Sequence, residues 1–331
     1  MLSTALWDGA HGGSGRASVM VGSGMSLNTV PAIPSPRPML TWSQLTDRLV
    51  NRMHPPVPAN EDARRRAHQA CAAPGGFLRV AEEFEAALGR AALDSLLIDA
   101  VPDADHGPGP LHDLLLRLPW RDVLTTNYDT LLERAAARVH GQVYSVVATA
   151  PDIGISARPR IVKLHGSLPF VRPFVLTEED FRTYPQRSPA FVSLARQAIL
   201  ETTLCLVGFS GDDPNFLQWS GWVRDVLGSS AQRIYLCGIL DLTSAQATLL
   251  RGRNVIPIDL SPVFPANDYP VSSVRRARAL EWFLVALTER RPPNRLTWPL
   301  EDPAPSVATS PGLPDRPASP VKRLAAETRF P

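Results

Sequence analysis

Four short segments place small, polar and titratable residues directly after apolar runs. They are VGSGMS at 21–26, TTNYD at 125–129, KLHGS at 163–167 and GFSGDDPN at 208–215. In a parallel sheet the carboxyl ends of the strands line the ligand crevice, so polar residues at these positions are expected to face a bound substrate. We therefore take these four segments as the candidate functional site of the chain.

The first segment is a glycine turn of the kind that accommodates an anion. Gly22 and Gly24 lack a Cβ, so a pyrophosphate could approach the backbone N–H groups there. A full dinucleotide fingerprint needs a third glycine at position 27, where Leu27 stands. A strand ending in an acidic residue should also follow about 20 residues later, and none does. An ordinary dehydrogenase domain is therefore disfavoured.

The second and third segments contain polar side chains, and each of these has both a possible functional role and a possible structural role. Asn127 and Asp129 either face the ligand crevice or merely cap the helix that follows. His165 is the only histidine of the seven at the end of a predicted strand. Its imidazole titrates near neutrality and can take a proton from a ribose hydroxyl or from water. The alternative for His165 is a turn histidine bonded to a backbone carbonyl, and for each segment alone both readings stay open.

Short apolar runs alternate with helical patterns along the chain. The predicted strands cover residues 18–21, 122–126, 160–164, 203–209, 233–238 and 254–259. Such alternation predicts an α/β fold, a Rossmann-like doubly wound parallel sheet with helices on both faces.

Three regions differ from this pattern. Residues 61–118 contain consecutive amphipathic helices without a strand, which predicts an all-helical module inserted into a domain spanning 18–298. Residues 1–17 are rich in glycine and are predicted to be flexible. Residues 299–331 are rich in proline and are predicted to be disordered, because they cannot bury a core.

Composition excludes several classes of function. With 34 Lys and Arg against 32 Asp and Glu, the formal charge of +2 gives no reason to expect direct contact with nucleic acid or an anionic membrane. The cysteines, Cys71, Cys205 and Cys237, lie far apart, which disfavours a disulfide framework or a metal pair. No apolar run approaches the ~18 residues of a membrane span, and the N-terminus lacks a signal-peptide pattern. We therefore expect a soluble cytoplasmic protein.

In this order, the four segments resemble the motifs of the sirtuin family, and most closely those of its bacterial SIR2-like branch, over residues 19–259. The resemblance implies a domain that binds NAD as a substrate. It matches the sirtuin turn that binds the NAD pyrophosphate to Gly22, Ser23, Gly24 and Ser26. It matches the turn that holds the adenosine ribose to Gly208 and Ser210.

The resemblance also implies roles at the reacting end of NAD. Asn127 would orient the nicotinamide ribose, and Asp129 would meet the carboxamide. Thr126 would belong to the same NAD-binding strand end, and His165 would be the general base. Asn127 and His165 are thus the predicted catalytic residues.

The chain also departs from the family pattern. Sirtuin deacylases carry two cysteine pairs for zinc between the histidine and the adenosine turn, whereas residues 168–204 contain no cysteine. The zinc ribbon is therefore predicted to be absent and no metal is expected, which argues against an acyl-lysine peptide site. The family's Ile-Pro-x-x-Arg segment corresponds to Ile33, Pro34 and Arg37 only if the loop carries an insertion, and LTWSQL at 40–45 offers a competing register.

Zinc-less SIR2-like chains commonly hydrolyse NAD to nicotinamide and ADP-ribose, and many serve bacterial anti-phage defence by depleting NAD. The resemblance implies this activity here. Two alternatives stay open, a zinc-less NAD-dependent deacylase and a module that senses NAD or ADP-ribose without turnover. Because an NAD-destroying enzyme harms its host unless it is restrained, we expect control by a homo-oligomer, by a partner such as a translocase-type ATPase or an Argonaute, or by both. The helices of 61–118 and 275–290 are the candidate contact surfaces.

Overall fold

The computed structural model describes residues 1–9, 15–73 and 75–294, so the predicted tail at 299–331 lies outside the described residues. The strands, in chain order, are β1 (Ala17–Val21), β2 (Thr29–Pro31), β3 (His106–Pro108), β4 (Asp122–Thr125), β5 (Ser145–Val147), β6 (Arg160–Lys163), β7 (Thr203–Val207), β8 (Ile234–Gly238) and β9 (Val255–Asp259). Seven of them form one sheet in the order β5-β6-β4-β1-β7-β8-β9, and every neighbouring pair is parallel. The prediction of a parallel α/β sheet is confirmed.

The helices, in chain order, are α1 (Leu2–Trp7), α2 (Ser23–Ser26), α3 (Trp42–Met53), α4 (Glu61–Ala72), α5 (Gly76–Leu88), α6 (Arg90–Ala100), α7 (Pro110–Arg117), α8 (Leu131–Ala136), α9 (Asp152–Ile155), α10 (Glu178–Arg187), α11 (Pro189–Glu201), α12 (Pro214–Leu227), α13 (Ser244–Gly252) and α14 (Ser272–Glu289). None of these helices combines the length and the apolar composition needed to cross a membrane.

Two apolar cores cover the two faces of the sheet. Successive residues of a strand point to opposite faces, so Val19 of the central strand β1 joins one core and Met20 joins the other. Helices α1, α7, α8 and α14 pack in the first core, and α11 and α12 pack in the second. Both faces are therefore covered, as a doubly wound sheet requires.

The strand order reverses beside β1. Strands β4, β5 and β6 lie on one side of β1, and the next three strands in sequence, β7, β8 and β9, lie on its other side. In open α/β sheets, ligands bind at such a reversal, outside the carboxyl ends of the strands. The topology therefore puts the candidate crevice at the ends of β1, β4, β6 and β7.

The helical block runs from α3 to α6 and has its own apolar core, which includes Leu49, Phe84 and Leu97. Its bounds differ from the predicted 61–118. Helix α3 precedes that range, with the capping box that Thr41 and Gln44 form. Helix α7 instead packs Leu115 and other residues against the sheet. The short antiparallel pair β2–β3 lies between this block and the sheet domain in sequence.

Residues 2–7 form helix α1, which differs from the expected flexible N-terminus. The Leu6 side chain is fully buried in the first core, and Trp7 Nε1 donates a 2.9 Å hydrogen bond to the carbonyl of Leu287. Six residues are too few for a periodic apolar pattern to be recognised, and an isolated helix of this length is unstable in water. Contacts with distant elements therefore account for its presence.

Candidate functional site

The strand ends that carry the motifs lie side by side. Strands β4 and β6 pair Thr125 with Lys163, and Asn127 and His165 each follow two residues later. Strand β1 pairs with both β4 and β7, so the turns that begin at Gly22 and Gly208 lie next to them. The motifs, which are spread over almost 200 residues of sequence, thus converge on one edge of the sheet.

The two glycine turns pack backbone against backbone. The N–H groups of Gly22 and Gly24 donate to the carbonyls of Val207 and Gly208, at 3.0 and 2.9 Å. A Cβ on Gly22 would lie 2.4 Å from the Gly208 oxygen, and Gly208 itself has φ +59°. These glycines are therefore required for the close approach of the two turns. The N–H groups of Gly22 and Gly24 are occupied in this arrangement, so a pyrophosphate would have to meet other groups of the turn.

Ser23 is the exposed residue of the first turn. Its hydroxyl accepts a 3.0 Å hydrogen bond from Trp42 Nε1 at the start of α3, and the Trp42 ring contacts Phe77 edge-on at 4.9 Å. An indole that is 48% exposed at this position can cover a ligand lying on the turn. Sequence reasoning missed Trp42, although the cap at Thr41 fixes the helix start beside it.

Asn127 is held by the glycine turn. Its Nδ2 donates to the Gly22 carbonyl at 3.0 Å and to Ser26 Oγ at 2.9 Å, and its own N–H donates to Thr125 Oγ1 at 3.1 Å. A primary amide has two donor hydrogens, and both are used here. Asn127 Oδ1 is thus the side-chain atom available to a ligand. Thr126 lies half-buried between these residues.

Asp129 is buried behind Asn127. Its Oδ2 accepts a 2.6 Å hydrogen bond from Ser26 Oγ, and its Oδ1 accepts one of 3.2 Å from the N–H of Leu131 at the start of α8. The carboxylate therefore accepts an N–H of the first turn of α8 and anchors Ser26, with 4% of the residue exposed. This surrounding fits an indirect role better than the contact with the carboxamide that the resemblance implies, so that contact stays a prediction.

Lys163 stabilises the same strand ends from within. Its ammonium donates to the Asp129 carbonyl and lies 3.1 Å from Glu133 Oε1 in α8, with 1% of its side chain exposed. Burial raises the pKa of Glu133, and the nearby Lys163 opposes that change. This buried pair joins β6 to α8 directly below the crevice.

His165 lies in a buried aromatic pocket. Phe181 and Tyr184 contact the ring edge-on, with centroids at 5.2 and 5.7 Å, and its Nε2 lies 3.3 Å from Nδ2 of Asn215. Burial lowers the pKa of His165, and the carboxylates of Asp213 and Asp180 offset part of this effect. Burial therefore favours the neutral imidazole, which is the form a general base needs.

The second turn leads from the sequence-predicted Ser210 into helix α12. Ser210 is exposed, and its Oγ accepts a 3.3 Å hydrogen bond from the N–H of Asp212. Asp213 begins α12 by accepting the N–H of Phe216 at 3.0 Å. Asn215, in the first turn of that helix, was missed by sequence reasoning because nothing in the spacing relates it to His165, which lies 50 residues earlier.

Arg37 is committed to a carboxylate. Its guanidinium makes a two-pronged ion pair with Asp105 at 2.8 and 3.2 Å, and its backbone N–H donates to the same carboxylate at 3.0 Å. These bonds from Arg37 lower the pKa of Asp105 to about 2. The structure therefore gives Arg37 an anchoring role in the 32–40 loop. Within the described ranges, no group of three or more His, Cys, Asp or Glu residues is arranged to hold a metal ion.

Comparison with known proteins shows similarity to SIR2-like domains. Residues 121–258 match the family model described as a SIR2-like domain. The chain is 27% identical over 201 residues to Defense-associated sirtuin 2 of Bacillus subtilis, covering 58% of this chain and 20% of that protein. It is 31% identical over 130 residues to NAD(+) hydrolase ThsA of Acinetobacter baumannii, covering 38% of this chain and 27% of that protein.

A solved Sir2 enzyme superposes on the chain with a TM-score of 0.40 and 12% identity, over 87% of this chain and 95% of that one. The matches cover less than a third of the length of the relatives named above, at 20% and 27%. The chain is thus similar to SIR2-like domains over residues 121–258, a range that contains three of the four strand-end motifs.

Proposed function

We propose that the chain is an NAD glycohydrolase, which converts NAD and water to nicotinamide, ADP-ribose and a proton. The observation that carries this proposal is the pairing of a locked amide with a buried imidazole. Asn127 presents Oδ1 at the end of β4, and the buried ring of His165 follows the neighbouring strand β6. The relatives named NAD(+) hydrolase support the same reaction.

The proposed chemistry requires little covalent participation from the protein. The bond between the ribose C1′ and the nicotinamide nitrogen breaks, its electron pair stays with nicotinamide, and C1′ gains oxocarbenium character. A water oxygen then bonds to the opposite face of C1′. Asn127 Oδ1 would accept a hydrogen bond from this water or from a ribose hydroxyl, and His165 would accept the proton and release it to solvent.

The remainder of NAD would lie across the two glycine turns. Ser23 and Ser210 expose hydroxyls there, and Trp42 could stack over the ligand. The glycines would act by permitting the turns to approach each other, as the occupied N–H groups of Gly22 and Gly24 indicate. We therefore propose that Gly22, Gly24 and Gly208 contribute to NAD binding by allowing this close approach.

The test is nicotinamide release by the purified chain, measured for the wild type and for Asn127→Ala and His165→Ala. A general base contributes ~10²–10⁴-fold, so we expect His165→Ala to lose about that much turnover. His140→Ala, which changes an exposed histidine, is the matched control. Unchanged NAD consumption in a folded His165→Ala protein would contradict the assignment.

The same assay separates the alternatives when it is repeated with an acetyl-lysine peptide. Release that requires the peptide and yields O-acyl-ADP-ribose would favour a deacylase. Tight NAD binding without release would favour a sensing module. Loss of release in Asn127→Ala without peptide would favour the glycohydrolase.

We also propose that the reaction serves bacterial anti-phage defence by depleting NAD, a role supported by the name of the Bacillus subtilis relative. Restraint of the enzyme by a homo-oligomer, by a translocase-type ATPase or by an Argonaute belongs to this proposal. Cellular NAD should fall after phage infection in cells with the wild type and not in cells with Asn127→Ala. A chain that stays monomeric at high concentration, alone and with the products of neighbouring genes, would contradict control by assembly.

A further inference from the structure

We propose that Asn215 is the positioning residue of His165, fixing the imidazole so that Nε2 is the proton-accepting atom. The proposal rests on the proposed function for its kinetic consequences only. Its structural basis is the contact between Asn215 Nδ2 and His165 Nε2 at 3.3 Å, between residues that are 2% and 3% exposed.

The backbone of Asn215 is held firmly. Asp213 caps α12 through the N–H of Phe216, and Pro214 occupies the first helical position, which its fixed φ favours. Phe216 and Trp219 then anchor the first turns of the helix in the second core, with 1% and 0% exposure. Asn215 is therefore presented to His165 by a rigid element.

Contacts with other elements fix the plane of the ring but not its proton. The His165 carbonyl accepts from the N–H of Val175 at 3.2 Å, and the Tyr184 hydroxyl donates to the Leu164 carbonyl at 2.6 Å. Phe181 and Tyr184 then meet the ring edge-on. None of these contacts engages a ring nitrogen, so the Asn215 amide is the group that distinguishes Nε2.

The amide nitrogen of Asn215 can only donate, so Nε2 must accept. In the neutral ring the proton then lies on Nδ1, and Nε2 carries the lone pair that can take a proton from substrate. A separation of 3.3 Å is at the long end of hydrogen-bond distances. A water or ribose hydroxyl can therefore replace the amide at Nε2 at small cost.

Asn215 is also neutral, unlike the carboxylate that orients the base histidine of a serine protease. The titratable groups that face His165 from other elements are Asp213 at the start of α12 and Asp180 and Tyr184 in α10. Both carboxylates are engaged, Asp213 by the N–H of Phe216 and Asp180 by Arg90 and Arg187. A neutral partner at Nε2 therefore preserves the base form of the ring.

The test compares Asn215→Asp and Asn215→Leu with the wild type, with Gln218→Leu on the exposed side of α12 as the matched control. Nitrogen-15 NMR of the ring gives the tautomer and the pKa of His165, with the resonance assigned from its loss in His165→Gln. We expect Nε2 to be the unprotonated nitrogen in the wild type. Asn215→Asp should fold, because an acid is favourable in the first turn of a helix.

A carboxylate at position 215 should stabilise the imidazolium. We expect the pKa of His165 to rise, and the acidic limb of the pH–rate profile to move upward by about one to three pH units. Asn215→Leu should lower kcat by about 10- to 100-fold while KM for NAD stays unchanged, because the base is present but misplaced. Gln218→Leu should change neither quantity.

Two NMR results would overturn the proposal. One is a neutral His165 ring protonated at Nε2 in the wild type, and the other is the same tautomer and the same His165 pKa in the wild type and all variants. Variants of position 215 that keep the wild-type kcat and pH profile in an active enzyme would also overturn it. If the wild-type chain releases no nicotinamide, the proposed function fails, and the NMR arm alone decides the role of Asn215.

Discussion

Ser26 Oγ donates a 2.6 Å hydrogen bond to Asp129 Oδ2 across 103 residues of sequence. The same hydroxyl oxygen accepts from Asn127 Nδ2 at 2.9 Å, so one oxygen joins the end of β1 to the end of β4 twice. Because the second Asn127 hydrogen is bound by the Gly22 carbonyl, the amide is held at both donor positions. Asp129 therefore orients Asn127 through Ser26.

Ser26→Ala should remove this link and leave a buried carboxylate short of one donor. A hydrogen bond to a charged group contributes about 1.5–3 kcal/mol, and we expect a loss of that order in the free energy of unfolding, measured with urea. Nicotinamide release should fall with it. Ser193→Ala is the control, because the exposed Ser193 hydroxyl donates to the Pro189 carbonyl of its own helix. Wild-type stability and turnover in Ser26→Ala would show that the link positions nothing.

Gly22→Ala should separate the two glycine turns. The added Cβ would lie 2.4 Å from a backbone oxygen, which cannot rotate away, so the turn must shift. Overpacking of this kind costs about 1–3 kcal/mol, and we expect NAD binding measured by calorimetry to be lost as well.

The paired control is Gly221→Ala in α12, where the added Cβ would have no atom within 4 Å apart from its chain neighbours and the backbone of its own helix. Alanine is preferred over glycine inside a helix by roughly 0.5–1 kcal/mol, so this variant should be more stable than the wild type and bind NAD normally. Equal behaviour of the two alanine variants would contradict the requirement for glycine at position 22.

The central strands could be predicted because each is a short apolar run bounded by polar residues. β1 and β7 are the clearest cases, and the alternation with helices then indicated a parallel sheet. β5 was missed because it has three residues, two of them not fully buried, at the edge of the sheet. β2 and β3 were missed because each contains a proline, which is unusual in a strand.

The candidate site could be predicted only as a set of strand ends. That Asn127 and His165 follow neighbouring strands is a consequence of sheet order, which alternation alone does not supply. The partners that orient them, Ser26 and Asn215, lie 101 and 50 residues away in sequence. Contacts of this kind arise from tertiary packing, and spacing within a motif carries no information about them.

The Arg37–Asp105 pair should make stability depend on pH in the acidic range. The pKa of Asp105 is lowered to about 2 in the folded protein by Arg37, from 3.8 ordinarily. Its contribution is therefore fully present above about pH 4 and is lost as the pH falls toward 2. Arg37→Gln should lose this part of the pH dependence, measured as the urea midpoint between pH 4 and 2. Parallel curves for the two proteins would show that the pair does not couple to folding.

His112 should make the free energy of unfolding depend on pH in a second range, above that of Asp105. It is 1% exposed in α7, its Nδ1 accepts the N–H of Gly109 at 3.2 Å, and burial lowers its pKa to about 4 from 6.5. The unfolded chain therefore binds an extra proton between these values, so stability falls as the pH drops from 6.5 to 4. A change of this size corresponds to about 2–4 kcal/mol.

His112→Gln isolates this effect because glutamine can still accept the N–H of Gly109 at the third position of the helix, as in a capping box. We expect its unfolding free energy to vary less between pH 6.5 and 4 than that of the wild type, by about 2–4 kcal/mol. His140→Gln, at an exposed histidine, should retain the wild-type slope. If His112→Gln and the wild type keep the same slope, His112 is protonated as readily in the folded chain as in the unfolded one.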